Sequence, residues 1–315
     1  MGKQKMIAVV GPTASGKTGL SVSLAAHFGG EIISADSMQI YREMNIGTAK
    51  PTLEERQGIP HHLMGHIGVE DTYNVATYVE DARSVLQSLE KRGVLPILCG
   101  GTGLYLDHLL NNTDFFDIPL KESLREKYQE LAEKEGAAYL YALLKKVDPV
   151  LAQKLHPNDV KRVIRGLEVY ESTGRKLSDF QLESKRSSPY DVLWIGLNYR
   201  DRQLLYDRID RRVDLMESEG LLDEIQYLMA HYKLSSTARA AIGYKEVIDA
   251  LESGGSVAEA LSLVKQKSRN YAKRQLTWFH KNEKIHWFYR DELDDDTFLS
   301  QAIQCCEKFL EGGNE

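Results

Sequence analysis

Cysteine is nearly missing from this chain. The three in 315 residues are Cys99, Cys305 and Cys306, two of them adjacent. That spacing excludes a disulfide framework and a zinc-ligand pattern, and it suits a reducing, cytoplasmic compartment. Long hydrophobic runs are missing too, although hydrophobic residues make up 42% of the chain, so no membrane span is expected. The opening Met1-Gly2-Lys3-Gln4-Lys5 leads directly into an apolar run, which leaves no room for a targeting peptide. It begins like a myristoylation signal, but position 6 is Met rather than Ser or Thr. Internal repeats and low-complexity segments are lacking. There is no excess of positive charge either: the net charge is −6, which by itself argues against a nucleic-acid partner. The sum hides an uneven distribution. Between 263 and 284 stand Lys265, Lys267, Arg269, Lys273, Arg274, Lys281 and Lys284 against Glu283. Between 291 and 315 stand Asp291, Glu292, Asp294, Asp295, Asp296, Glu307, Glu311 and Glu315 against Lys308. An acidic end thus masks a basic segment, and charge alone does not separate that segment from an ordinary solvated helix face.

What the chain does contain is Gly11-Pro12-Thr13-Ala14-Ser15-Gly16-Lys17-Thr18. The apolar run Met6-Ile7-Ala8-Val9-Val10 before it reads as a buried strand. Leu20, Leu24 and Phe28 after it fall at helical spacing. Strand, G-x-x-x-x-G-K-T and helix is the context in which this pattern binds phosphate. The glycines let the backbone curl around an anion, several N–H groups point at it, and the helix N-terminus adds its positive dipole end. Lys17 reaches the terminal phosphate; Ser15 or Thr18 offers a hydroxyl to phosphate or magnesium. The loop therefore holds a diphosphate or longer group, whether or not a nucleotide carries it.

The same strand–turn alternation recurs at 31–36, which ends in Asp36, and at 94–99, followed by Gly100-Gly101-Thr102-Gly103. Unbroken apolar strands with glycine turns predict an α/β fold with a parallel sheet and a ligand crevice at the strands' carboxyl ends. The 11–18 loop, Asp36 and Thr102 should meet there. Thr52 reads as a cap for a short helix, and 71–92 as an amphipathic helix. From 121 to 185 the text is helical and charged, with helices over 121–135, 137–147, 159–172 and 178–185; Asn158 or Asp159 is placed to cap the third. Strand text returns at 191–197 and again at 284–289, with helices over 201–218, 257–279 and 297–310. The expected organisation is a phosphate-loop (P-loop NTPase-like) parallel sheet flanked by helices, formed by 1–112 and 191–315, with an all-helical insertion domain over 113–190.

Asp36 closes an apolar strand near the phosphate loop, where a carboxylate holds magnesium or accepts a hydrogen bond from a nucleophile; the alternative is a turn cap. His61, His62 and His66 read as loop histidines, because Leu63-Met64-Gly65 lacks the glutamate of a zinc hydrolase. The helix bearing Arg202, Arg208, Arg211 and Arg212 could grip a leaving pyrophosphate or simply pair with its own acids. Thr102 is either a polar contact or part of a turn. Trp278 and Phe279, beside Lys273 and Arg274, suggest base stacking, although buried core aromatics are more frequent. The residues alone leave open a small-molecule kinase, a transferase with a diphosphate leaving group, and a nucleotide switch that binds RNA.

Several segments, in this order, resemble the tRNA dimethylallyltransferase (tRNA isopentenyltransferase) family over nearly the whole chain. They are the 11–18 loop, Asp36-Ser37-Met38-Gln39-Ile40-Tyr41, Gly47-Thr48-Ala49-Lys50-Pro51, His61-His62-Leu63, Gly100-Gly101-Thr102-Gly103-Leu104-Tyr105, Asn158-Asp159 with Arg162 and Arg165, Ala241-Ile242-Gly243-Tyr244 and Ala272-Lys273-Arg274-Gln275-Leu276-Thr277-Trp278. The zinc-finger extension of some eukaryotic members is absent, which points to the bacterial type. The resemblance implies transfer of the dimethylallyl group from dimethylallyl diphosphate to the exocyclic amine of the adenine 3′ of the tRNA anticodon. Gly11, Pro12, Thr13, Ala14, Ser15, Gly16, Lys17 and Thr18 would bind the diphosphate, with Mg2+ on Thr18. Asp36, Thr18, Lys17 and Arg208 would be catalytic. Asp36, Ser37, Met38, Gln39, Thr102, Arg125, Lys161, Arg162, Val163, Ile164, Arg165, Lys273 and Arg274 would form the tRNA-binding set, facing the anticodon stem-loop. A cytoplasmic monomer is expected, and the alternatives are a phosphate-loop small-molecule kinase and an adenylate isopentenyltransferase.

Overall fold

The computed structural model describes residues 2–116, 122–184 and 186–312. The expected helix ends at Lys121 and Lys185 lie outside them. The chain divides into two compact units, one formed by Met1–Leu110 with Pro189–Glu315 and the other by Asn111–Ser188. The first unit opens with β1 (Gln4–Val10), α1 (Lys17–Phe28), β2 (Glu31–Ser34), α2 (Leu53–Arg56), β3 (His61–His62), α3 (Val75–Arg92), β4 (Pro96–Gly100) and α4 (Gly103–Leu110). The second unit is α5 (Glu122–Glu135), α6 (Ala137–Val147), α7 (Pro149–Lys154), α8 (Val160–Thr173) and α9 (Leu177–Glu183). The first unit resumes with β5 (Tyr190–Asn198), α10 (Arg202–Ser218), α11 (Leu221–His231), α12 (Ser236–Arg239), α13 (Tyr244–Ser253), α14 (Val257–Phe279), β6 (Ile285–Tyr289) and α15 (Asp295–Glu311).

The six strands form one sheet in the order β3-β2-β4-β1-β5-β6, and every pairing is parallel. Alternating side chains of β1 enter two different cores, as a sheet covered on both faces requires. Ile7 and Val9 pack with α1 and α15 through Leu24, Phe298 and Ala302. Met6, Ala8 and Val10 pack with α3, α4, α11 and α13 through Tyr78, Leu106, Ile225 and Val247. Of the details that differ from the sequence reading, two lie near the strand ends. The histidines at 61 and 62 form a short edge strand beside Ile32 and Ile33 rather than a loop. Strand β2 ends at Ser34, so Asp36 stands on the connection beyond it.

Capping explains several boundaries. Thr52 and Glu55 form a reciprocal capping box at α2, and Asn74 accepts from the amides of Ala76 and Thr77 at α3. Asp159 occupies the N-cap of α8, but its side chain makes no capping bond. The second unit has its own core of Leu140, Leu144, Leu151, Val163 and Leu167. Asp148, fully buried, ties it together: one oxygen accepts from Leu151 N at 3.0 Å and the other from Ser178 N at 2.9 Å.

At the sheet edge, Glu31 accepts from Arg92 at 2.7 and 2.8 Å and meets His62 Nε2 at 2.6 Å. The Arg92 guanidinium, aided by His62, holds the Glu31 carboxyl down at about 2. A carboxyl depressed in the folded state contributes stability that is complete above its unfolded pKa and is lost as pH falls toward its folded one. Between about pH 4.5 and 2, acid unfolding of the wild type should therefore carry a proton uptake that Glu31→Gln removes. Equilibrium denaturation across that window measures it; identical pH slopes would refute the assignment.

Candidate active site

Three connections meet at the carboxyl ends of neighbouring strands: 11–18 after β1, 35–39 after β2 and 101–102 after β4. The first curls because Gly11 (φ 144°), Ala14 (φ 62°) and Gly16 (φ 93°) take positive φ. Gly16 is the N-cap of α1 and has no side chain to close it, so the helix amides remain available to an anion. Gly11 admits no side chain, since a Cβ would collide with Leu197 O of β5. A Cβ on Gly100 would likewise strike the backbone of Ala35, which explains the glycine there as close packing of β4 on the 35–39 connection.

Beside the phosphate loop lies a cavity of about 550 Å³ lined by residues 14–18, the 45–55 segment and one face of α10. Lys17, Lys50, Arg208, Arg211 and Arg212 line it against Glu55 and Glu219. This excess of cations suits an anionic ligand. Lys17 donates to Pro12 O at 2.6 Å. Burial, opposed by Cys99 and Asp36 and aided by Arg212, lowers its pKa to about 8. Arg208 donates from Nε to Ala14 O at 3.1 Å. Arg212, one helical turn on, reaches deeper: it donates to Thr13 Oγ1 at 3.2 Å and to Ala49 O at 3.3 Å. Burial lowers its pKa as well, with Asp36 partly offsetting that.

Asp36 serves as a cap without spending its whole carboxylate. Oδ1 accepts from Met38 N at 2.9 Å and Gln39 N at 3.2 Å, while among the described residues Oδ2 has no hydrogen-bond donor. Thr102 Oγ1 accepts from Ser37 N at 3.1 Å and its own amide donates to Ala35 O at 3.1 Å. The threonine thus fixes the turn that presents Asp36. Gln39 donates to Thr48 O and Ala49 O, both at 3.2 Å. The Tyr271 hydroxyl lies beside Thr102, Gln275 and Asp36, and burial first, then the Asp36 charge, pushes its pKa up to about 12. Ser15 Oγ is buried without a hydrogen-bond partner among the described residues. Two hydroxyls, Ser15 and Thr18, and one carboxylate suit a magnesium ion held chiefly by phosphate oxygens and water, which asks one or two oxygens of the protein. Among the described residues there is no cluster of three or more His, Cys, Asp or Glu side chains. His61 and His62 bond instead to Ile59 O and Glu31, and His66 lies 3.7 Å from Asp81.

Other expected positions fall elsewhere. Val163 (0% exposed) and Ile164 (4%) are core residues of the second unit, so their side chains do not face RNA; the apolar stripe of α8 outweighs their place in the 161–165 stretch. Lys161 and Arg162 are exposed. Arg165 is largely buried, its Nη1 without a partner among the described residues. Arg125 pairs with buried Glu168 at 2.9 Å. Lys273 and Arg274 are exposed on α14, above the rings of Tyr206 and Tyr271, whereas Lys265 and Arg269 are ion-paired with Asp214 and Asp210. Trp278 donates to Asp107 at 2.8 Å and Phe279 is buried, so both are packing groups rather than a stacking platform.

Sequence reasoning underrated Arg212, although its i+4 spacing from Arg208 puts both on one helix face. It quoted Gln275 only within the 272–278 segment and gave it no role. The Gln275 amide accepts from Thr13 N at 2.9 Å and donates to Gly101 O at 3.0 Å, joining two glycine loops far apart in sequence. No local pattern announces such a contact.

A phosphate loop at the head of a parallel sheet, a cationic cavity and an opposing carboxylate define a phosphate-loop enzyme of the group-transfer class. A family model for IPP transferase matches residues 39–282, and the chain belongs to that family. The chain is 47% identical to the tRNA dimethylallyltransferase of Thermoanaerobacter sp. (strain X514) over 302 residues, 95% of this chain and 96% of that one. Its structure is similar to the full-length tRNA isopentenylpyrophosphate transferase from Bacillus halodurans, with a TM-score of 0.75, 41% identity and coverage of 98% and 97%. It is also similar to a eukaryotic dimethylallyltransferase acting on tRNA, with a TM-score of 0.81 and 32% identity over 98% of this chain and 80% of that one.

Gln275→Ala should strand Thr13 N and Gly101 O, at a cost of about 1–3 kcal/mol for each buried group left unpaired. Denaturant titration should show that loss, and pyrophosphate should bind more weakly because the loop is no longer held. Unchanged stability and affinity would refute the bridge. Lys17 gives a pH signature. A bound diphosphate raises the pKa of the ammonium it pairs with, so affinity is full below the unbound value of about 8 and falls as pH rises past it. Calorimetric titration with pyrophosphate from pH 7 to 9.5 reads this; a flat profile would remove Lys17 from the site.

Proposed function

We propose that this protein transfers the dimethylallyl group of dimethylallyl diphosphate to the exocyclic amine of the adenine 3′ of the anticodon in tRNA, releasing pyrophosphate. The observation that carries the reading is the pairing of a cationic diphosphate cavity with the unengaged Oδ2 of Asp36, two connections away on the same sheet edge. The activities for which its relatives are named agree with it.

The allylic carbon–oxygen bond breaks with both electrons passing to pyrophosphate. The amides of the 11–18 loop, Lys17, Arg208 and Arg212 stabilise the charge that collects there, which is worth most where water is excluded. Thr18 would hold a magnesium ion there, which would supply further neutralisation of the leaving group. The adenine amine forms the new carbon–nitrogen bond, and Asp36 Oδ2 accepts the proton it loses. The base leaves its stack to reach the allyl carbon, and Ser37, Met38, Gln39 and Thr102 surround it. Lys161, Arg162, Arg165, Arg125, Lys273 and Arg274 hold the RNA backbone. Such contacts make binding salt-dependent. A tRNA acceptor fits a cytoplasmic, monomeric enzyme, and no helix among the described residues is long and apolar enough to cross a membrane.

Incubation with labelled dimethylallyl diphosphate, magnesium and unmodified tRNA should place label in the RNA. Label in free adenosine monophosphate instead would make this an adenylate isopentenyltransferase, and ATP consumption with a small-molecule acceptor a kinase. Asp36→Ala should lower kcat by about 10²–10⁴-fold, the range of general-base loss, while tRNA still binds in a filter assay. Near-normal turnover would remove Asp36 from the proton-accepting role.

A further inference from the structure

One carboxylate outside the phosphate loop gathers an unusual number of donors. Glu224 lies in the first turn of α11, where an acid is favoured by the helix N-terminus. Its side chain points away from that helix's own amides and into the 45–47 backbone. Oε2 accepts from Asn45 N and Ile46 N, each at 2.9 Å; Oε1 accepts from Gly47 N at 3.2 Å and from Tyr244 Oη at 2.6 Å. Tyr244 is fully buried, and burial together with Glu224 raises its pKa well above the usual tyrosine value, so it stays a donor. Its ring fills the space where a Cβ on Gly47 would sit, which explains the glycine. Three consecutive amides, a carboxylate and a phenol form one latch across two distant segments.

The latched loop carries contacts to both sides of the site. Ala49 O accepts from Arg212 Nη2 at 3.3 Å on the diphosphate side. Thr48 O and Ala49 O accept from Gln39 Nε2 at 3.2 Å on the Asp36 side. Asn45, Ile46, Ala49 and Lys50 also form one wall of the cavity. We infer that Glu224 is a positioning residue for both substrates: by clamping the 45–47 backbone it sets the Thr48 and Ala49 carbonyls that hold Arg212 against the diphosphate and Gln39 beside the acceptor base. The assignment of substrates rests on the function proposed above; the latch itself does not.

The test uses the full chain with Glu224→Ala, Glu224→Gln and Tyr244→Phe, titrated calorimetrically with inorganic pyrophosphate and magnesium and assayed for prenyl transfer. Glu224→Ala should weaken pyrophosphate binding and raise the donor KM by about tenfold, the effect of losing one or two net hydrogen bonds. Glu224→Gln, which keeps a carbonyl acceptor, should recover part of that loss. Tyr244→Phe, which leaves the amide bonds intact, should lose about two- to threefold. A merely structural role would reduce the fraction of folded enzyme, so kcat would fall with KM and pyrophosphate affinity unchanged; that result overturns the inference. If Glu224→Ala does not fold, wild-type pyrophosphate affinity in both other variants overturns it equally. Pyrophosphate binding that depends on Glu224 in a protein with no prenyl transfer would sustain the latch and reject the proposed reaction.

Discussion

The site depends on one side-chain amide. Gln275, projecting from α14, takes the Thr13 N–H with its oxygen and gives its N–H to Gly101 O. Each connection curls at its glycines, Gly11 and Gly16 in one and Gly101 in the other. Glycine-rich backbone has high conformational entropy to lose. The amide supplies the constraint from outside. Around it the connections pack backbone to backbone, Gly100 against Ala35 and Gly11 against Leu197, with no room for a Cβ. Glycine where backbones must approach, together with polar contacts from distant side chains, brings Lys17, Asp36 and Thr102 to one crevice.

That logic also marks what could be read in the sequence. Short-range patterns were legible: the phosphate loop, the apolar strands, the cap at Thr52, and the amphipathic stripe of α3. Each is set by neighbours within a turn or two of chain. The two-residue strand at His61 and His62 was not, since its only signal is pairing with β2. Val163 and Ile164 were drawn into the RNA set by proximity to Lys161, Arg162 and Arg165. Helical periodicity turns adjacent residues about 100° apart, so a basic face and a core face interleave along α8. Gln275, Glu224 and Tyr244 act through contacts spanning 20 to 262 positions, for which a single sequence carries no spacing signature.

Asp36 shows that competing readings of one residue need not exclude each other. A turn cap and a proton acceptor seemed alternatives. A carboxylate has two oxygens with about four acceptor sites, and here Oδ1 takes the turn amides, which leaves Oδ2 available for the proton-accepting role proposed above. The cap fixes the acid's rotamer, and a fixed acid is a better acceptor because less reorganisation accompanies the reaction. Thr102 plays the supporting part: its hydroxyl holds Ser37 N, the next amide in the same turn.

The cations opposite show why a leaving group would be favoured over a resting ligand. Lys17 and Arg212 are largely buried near one another, and both have pKa values lowered by that burial. Desolvated like charges raise the energy of the folded protein. An anion between them returns that energy, and returns more of it as the anion gains charge. A diphosphate ester becomes more negative as its carbon–oxygen bond breaks, so in the reaction proposed above the cluster would bind the departing pyrophosphate more strongly than the intact donor. Interactions of that kind lower a barrier, since they grow along the reaction instead of being complete at its start. Arg208 and Arg211, exposed on the same face of α10, are screened by solvent, so Arg208 would stabilise the proposed leaving group less than buried Lys17 and Arg212.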